Sequence, residues 1–126
     1  MIIVHDLGEV YAGDYQVYGK TVPENKHELE EESLNKLLST LPSYSQNEII
    51  DLWNEFENRE TIEAKFSVAL DKLEVLIQHN EADVSTYLDG EAEYNLTYAD
   101  DKVSYNETLK EFREIIREET KKKIGK

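Results

Sequence analysis

The stretch AKFSVALDKLE, residues 64–74, decides the fold that we predict for this chain. From about residue 60 to residue 79, apolar side chains wrap most of the circumference of an α-helix, which is typical of a central, buried helix. Asp71 interrupts this apolar surface. A carboxylate in such a place is unfavourable unless it is paired or bound to a cation. The residues alone therefore leave two alternatives for Asp71, a buried ion pair or a metal ligand.

The part of the chain before this helix is also predicted to be helical. Residues 2–13 show the spacing of the last turns of a helix, with a short N-terminal strand as the alternative. Residues 14–22 are expected to form a loop. Pro23 indicates the start of a second helix that stops at Pro42. Residues 45–48, with the sequence SQNE, fit a capping box and predict the start of a third.

The part after the long helix is predicted to begin irregularly. Residues 80–102 lack clear periodicity, and so long an irregular segment in a compact domain is often functional or mobile. A second capping box at residues 104–107 predicts the start of the last helix, which should end at Gly125. The chain of 126 residues is long enough for one domain with its own core, so we predict a single all-α domain over residues 1–126.

The composition excludes several classes of protein. A net charge of −14 disfavours nucleic acid as a partner, although a small phosphate ester remains compatible because a bound metal inverts the local charge. The chain has no Cys, no apolar run long enough for a membrane span and no signal peptide at residues 1–4. We therefore expect a cytoplasmic protein. The acidic run at residues 28–32 is expected to be a solvated helix face.

His5 and Asp6 are the first candidates for chemistry. Imidazole and carboxylate groups are the ligands that suit Zn, Mn, Fe and similar ions. On a helix, His5 and Glu9 share one face. The dipeptide alone is also compatible with an ordinary surface pair. His27 and His79, the other histidines, are expected to be surface or partly packed side chains.

The residues from His5 to Asp14, with the sequence HDLGEVYAGD, resemble the core signature of the HD-domain metal-dependent phosphohydrolases. The similarity is to the branch that contains the bacterial 5′-deoxynucleotidases and the eukaryotic HD domain-containing protein 2. Three downstream segments resemble the second block of that branch, in the right order and at the right separation. They are residues 52–57, 63–66 and 70–74.

This resemblance implies an HD-domain helical bundle and a function. His5 and Asp6 match the metal-binding doublet, and Asp71 matches the last metal ligand. Glu9 matches the general acid or base beside the metal-bound water, and Asp14 matches a residue near the sugar of the substrate. The implied reaction is hydrolysis of deoxynucleoside 5′-monophosphates to deoxynucleoside and phosphate, with a divalent cation (Zn, Mn, Co, Fe, Ni or Mg).

One part of the family pattern is missing. The first metal-binding His of the family lies upstream of the doublet, so we expect this chain to be an N-terminally truncated HD-domain bundle. Such a bundle would expose an apolar groove beside Ile2, Ile3 and the long helix, which predicts a homodimer or a partner chain that fills the groove. The alternatives to an active enzyme are a catalytically impaired remnant that binds metal or nucleotide, and an acidic helical interaction module.

Overall fold

A computed structural model describes residues 1–15, 18 and 21–126, and its regular elements are helical. The α-helices are α1 (Glu9–Ala12), α2 (Lys26–Leu38), α3 (Ser43–Asn58), α4 (Ile62–Glu81), α5 (Glu91–Tyr94), α6 (Asp100–Val103) and α7 (Glu107–Ile124), with 3₁₀ turns at His5–Gly8 and Val84–Thr86. These described residues contain no strand, so the predicted all-α class is confirmed. None of their helices is long and apolar enough to cross a membrane. The chain divides into two compact units, Met1–Ala64 and Lys65–Lys126.

The N-terminal segment is helical from His5 onward. The residues before it form a turn, in which the Val4 N–H donates to the Met1 carbonyl oxygen at 3.0 Å, so the predicted helix was wrong at its first residues. Gly13, at φ 87°, ends α1 as predicted. The predicted loop over residues 14–22 has neither helix nor strand where it is described, and residues 16, 17, 19 and 20 lie outside the described part.

The predicted starts of α2 and α3 were misplaced. The Lys26 N–H donates to the carbonyl oxygen of Pro23 at 3.1 Å, so the proline lies in a turn before α2 rather than inside its first turn. Pro42 is the N-cap of α3, with Ser43 as its first residue. The ring of Pro42 presets a backbone angle that suits a helix start, and Ser45 therefore lies within the first turn.

The long helix α4 lies close to its prediction. The Thr61 hydroxyl oxygen accepts a hydrogen bond from the Ala64 N–H at 3.1 Å, which satisfies one of the free donors at the helix start. Ile62 and Phe66 are nevertheless exposed. The prediction of burial nearly all round was therefore wrong for the first turns of α4.

The segment predicted as irregular, residues 80–102, contains a 3₁₀ turn and the helices α5 and α6. Helices of four residues are too short to show a periodic pattern in the sequence. The helix α7 starts after Asn106, whose side-chain oxygen accepts from the Leu109 N–H at 3.0 Å, and not at a capping box headed by Ser104. Gly125, at φ 76°, ends α7 as predicted.

Each unit has an apolar core of its own. The core of the first unit consists of Leu34, Leu38 and Trp53, with Leu7, Ile49 and Ile50 packed against it. The core of the second unit consists of Ala69, Leu73, Leu76, Ala99, Val103, Leu109 and Ile116. Burial of one large aliphatic side chain stabilises a fold by about 1.5–3 kcal/mol.

The short helices of the second unit are held by two arginines of α7. Arg113, which is only 1% exposed, donates from Nε to the Tyr98 carbonyl oxygen and from Nη2 to the Asn95 carbonyl oxygen, both at 3.0 Å. Arg117 donates two hydrogen bonds to the carboxylate of Asp100, at 2.8 and 3.1 Å. The bonds from Arg113 satisfy backbone carbonyl groups between α5 and α6. The bonds from Arg117 pair with a carboxylate at the first residue of α6.

We predict that Arg113→Met lowers the free energy of unfolding by about 2–4 kcal/mol, because the carbonyl groups of Asn95 and Tyr98 lose their buried donor. Urea denaturation measures this change. The control is Lys110→Met on the same helix, which removes an exposed ion pair with Glu107 and should change stability by less than about 0.5 kcal/mol. Equal effects of the two substitutions would contradict this role of Arg113.

The first unit depends on a close approach of the 3₁₀ turn to α2. A Cβ atom at Gly8 would lie 3.0 Å from both the Cβ and the carbonyl oxygen of Glu30. One turn further along, the Tyr11 N–H donates to the Ser33 hydroxyl at 2.9 Å, and the Lys36 ammonium lies 4.0 Å from the centre of the Tyr11 ring. The segment that carries the HD doublet is therefore fixed against α2.

We predict that Gly8→Ala lowers the free energy of unfolding by about 1–3 kcal/mol, because the added methyl group overlaps the backbone of α2. Val10→Ala, at an exposed position of α1, is the control and should change stability by less than about 0.5 kcal/mol. Thermal denaturation of both variants makes the comparison. A Gly8→Ala variant as stable as the unaltered protein would show that the turn and α2 have room to separate.

Candidate active site

The imidazole of His5 is held by contacts within the first unit. Its side chain is only 15% exposed and lies against Phe56, with ring centres 4.6 Å apart. Nδ1 hydrogen-bonds the Ile2 carbonyl oxygen. Because a carbonyl oxygen only accepts, Nδ1 carries a proton. Nε2 is then the ring nitrogen that faces Asp6. A hydrogen bond of this kind to Nδ1 also orients histidine ligands in known metal sites.

Asp6 completes the doublet. Its Oδ1 lies 2.9 Å from Nε2 of His5, and its side chain is 66% exposed. A lone pair and a carboxylate oxygen at this distance repel each other unless a second proton or a cation lies between them. Imidazole nitrogen and carboxylate oxygen together form a donor set that fits a divalent metal ion.

Glu9 titrates near neutral pH. Its carboxylate is 22% exposed, and burial raises its pKa from 4.5 to about 7, with further increases from the negative charges of Asp6, Asp14 and Glu30. Lys26 acts in the opposite direction. A carboxyl group with a pKa near 7 is suited to general acid and base catalysis at neutral pH.

Lys26 and Glu30 are functional candidates that sequence reasoning missed. The Lys26 ammonium lies 2.9 Å from Oε1 of Glu30 and 3.9 Å from Oε1 of Glu9. Burial opposes the charge on Lys26, but the hydrogen bond to Glu30 and the charges of Glu30 and Glu9 give it a net raised pKa. A cation thus lies between two carboxylates beside the doublet.

The prediction of a fully solvated acidic face at residues 28–32 was wrong for Glu30, which is only 5% exposed. A signal was available in the sequence. Glu30 heads a row with Leu34 and Leu38 at spacings of four residues, and such a row lies on one face of a helix. The two leucines are in the core of the first unit.

Asp71 belongs to the second unit, on α4, and is partly buried. Its Oδ2 lies 2.7 Å from the Lys72 ammonium, so one of the two alternatives, an ion pair, is observed. The structure brings His5 and Asp6 together within the first unit. Among residues 1–15, 18 and 21–126, no three His, Asp or Glu side chains form a group that would hold a metal ion. The ligand role of Asp71 stays a prediction.

The other histidines are partly packed, as predicted. His27 stacks on Trp53 with ring centres 5.1 Å apart, and its Nδ1 lies 3.6 Å from the Glu57 carboxylate. Nδ1 of His79 lies 3.2 Å from the side-chain oxygen of Asn95. These contacts give both rings a structural role in their own units.

Comparison with known proteins gives consistent results. A family model described as HD domain matches residues 1–115. The chain is 37% identical over 81 residues to a protein of Bos taurus named 5'-deoxynucleotidase HDDC2. The aligned residues make up 64% of this chain and 40% of that protein. It is 38% identical over 78 residues to the protein of the same name from Dictyostelium discoideum, and the alignment covers 62% of this chain and 41% of that protein. The human protein of that name is 35% identical over 81 residues, and the alignment again covers 64% of this chain and 40% of that protein.

The matches cover different shares of this chain and of its relatives. The matched region spans about two fifths of the length of these relatives. No solved structure matches the chain significantly. The family model, by contrast, covers nearly all of the chain, including the doublet, Glu9 and Asp71. The resemblance inferred from residues 5–14 is confirmed, and the chain belongs to the HD domain family.

Proposed function

We propose that this protein is a metal-dependent phosphohydrolase that converts deoxynucleoside 5′-monophosphates to deoxynucleosides and phosphate, with residues 1–126 as a single HD-type domain. The observation that carries the proposal is Glu9, a carboxyl group with a pKa of about 7 that lies one turn after the doublet of His5 and Asp6. The names of the relatives, which are 5'-deoxynucleotidases, support the substrate class.

His5, Asp6 and Asp71 would hold the metal ion, which we propose to be divalent Zn, Mn, Co, Fe, Ni or Mg. The fit rests on the imidazole nitrogen and carboxylate oxygen of the doublet, which lie 2.9 Å apart. When bound, such an ion lowers the pKa of a coordinated water molecule, polarises the phosphoryl oxygens and offsets their charge. Its positive charge also makes a phosphate substrate compatible with a chain of net charge −14.

Glu9 and Asp14 supply the remaining chemistry of the proposal. Glu9 accepts a proton from the attacking water and returns it to the 5′ oxygen of the departing deoxynucleoside, so that the proton count balances. Asp14, an exposed carboxylate at the end of the same segment, accepts a hydrogen bond from a hydroxyl group of the sugar. The nucleotide is thereby oriented at its sugar.

We also propose that two copies of the chain associate through the apolar N-terminal residues. Ile3 is 91% exposed, and Ile2 and Val10 are exposed as well. Exposed apolar side chains that lie together favour association in water. Light scattering at micromolar concentration tests this, and a monomer would contradict it.

We predict that the purified protein holds stoichiometric divalent metal, that it releases phosphate from dAMP or dUMP, and that Asp71→Asn loses the metal. Elemental analysis and a phosphate assay measure these properties. Asp101→Asn, at an exposed carboxylate of the second unit, is the control and should retain metal and activity. Absence of metal in the unaltered protein would overturn the proposed function. Bound metal without phosphate release would leave an impaired member of the family.

A second prediction concerns pH and the metal-free protein. Because the folded-state pKa of Glu9, about 7, lies above its ordinary value of 4.5, which applies to an unfolded chain, folding favours the protonated group. This contribution to stability is complete below about pH 4.5 and is lost as the pH rises through 7. We expect Glu9→Gln to raise the free energy of unfolding by about 1–2 kcal/mol at pH 8 and to change it little at pH 5.

Denaturation in a chelating buffer at the two pH values measures the difference. Glu31→Gln, at an exposed position of α2, is the matched control and should show no such dependence. A Glu9→Gln variant whose stability follows that of the unaltered protein at both pH values would show that Glu9 titrates normally.

A further inference from the structure

Lys26 occupies a position that its own helix does not favour. It is the first residue of α2, where the helix macrodipole disfavours a cation. Its partner Glu30 follows four residues later, and a Lys before a Glu at this spacing stabilises a helix less than the reverse order. Departures from local preference of this kind are expected where a residue serves a site.

Glu30 fixes the place of Lys26. Glutamate is rarely buried unless it is paired, and this one is nearly inaccessible while its Oε1 holds the Lys26 ammonium at 2.9 Å. The backbone of Glu30 is also the surface on which Gly8 packs. One residue of α2 therefore positions both the ammonium and the chain segment that begins with Glu9.

The groups around Glu9 are otherwise negative. Asp6 on the 3₁₀ turn, Asp14 after α1 and Glu30 on α2 all disfavour its ionised form, and Lys26 favours it. From α3, the carboxylate of Glu57 acts on Lys26. Without the ammonium, the pKa of Glu9 would rise further, and a protonated carboxyl group does not accept a proton.

We propose that Lys26 is a positioning residue for the hydrolytic reaction: its ammonium, anchored by Glu30, holds the Glu9 carboxylate in place and keeps it able to accept the proton of the attacking water. The inference rests on the proposed function. It assigns Lys26 no contact with the substrate, and it predicts that the effect of Lys26 on turnover passes through Glu9.

Steady-state kinetics of Lys26→Met and Lys26→Arg test the proposal. We expect Lys26→Met to lower kcat by about 10-fold at pH 7 with KM nearly unchanged, and to move the acidic limb of the pH profile of kcat to higher pH. Lys26→Arg should restore most of kcat. Lys110→Met is the control, since it removes an exposed cation of α7 that pairs with Glu107, and it should leave kcat and the pH profile as they are.

A second measurement does not depend on activity. Carbon-13 NMR of the metal-free protein follows the Glu9 carboxyl group, which is assigned with Glu9→Gln. We expect Lys26→Met to raise its pKa by about 1 unit and Lys110→Met to leave it unchanged. If Lys26→Met moves neither the Glu9 titration nor the pH profile, the inference is overturned. If it moves the titration while the unaltered protein releases no phosphate with any divalent metal, the proposed function fails and the coupling of Lys26 to Glu9 stands.

Discussion

The contact between Gly8 and the backbone of Glu30 is the constraint on which the first unit depends. A Cβ atom added at Gly8 would lie 3.0 Å from the carbonyl oxygen of Glu30. Only a residue without a side chain therefore lets the 3₁₀ turn come this close to α2. Glu9 follows Gly8 directly in the chain, and loss of water is the largest cause of its raised pKa. The glycine therefore fixes the segment in which this carboxyl group lies.

Cations are scarce in this chain, which has 14 Lys and Arg against 28 Asp and Glu. Two of them bind partners that are buried or partly buried. Lys26 lies between two carboxylates of the first unit, and Arg113 binds backbone carbonyl groups of the second. Helices as short as α5 and α6 are unstable alone, so the fold needs the hydrogen bonds of Arg113. The ion pairs of Lys26 are available for function.

The sequence predicted the features that local rules control. The long helix α4 follows from its apolar spacing, the end of α7 follows from Gly125, and the HD signature follows from residues 5–14. The helix starts were less predictable. The helices α3 and α7 begin after Pro42 and Asn106, and not at the capping boxes predicted at Ser45 and Ser104. The short helices α5 and α6 were missed since they depend on contacts with α7 rather than on periodicity.

In the candidate site, too, the residues set by local spacing were predicted and those set by packing were missed. His5, Asp6 and Glu9 were found because they are adjacent or one helical turn apart. Lys26 was missed because its role comes from packing between α2 and the N-terminal segment, which no spacing rule reports. For Glu30, the four-residue spacing from Leu34 and Leu38 was a signal of burial. Glu30 lay within an acidic run, and composition alone assigned that run to solvent.

We propose that the segment packed on α2 presents His5 and Asp6 to a divalent cation. A crystal structure of the protein grown with Mn²⁺, with data collected for the anomalous signal of manganese, tests this. We expect an anomalous peak within bonding distance of His5 Nε2 and an oxygen of Asp6, with Asp71 as a third protein ligand. A peak bound elsewhere, or a His5 that contacts only Asp6 at saturating Mn²⁺, would show that the doublet does not bind the cation.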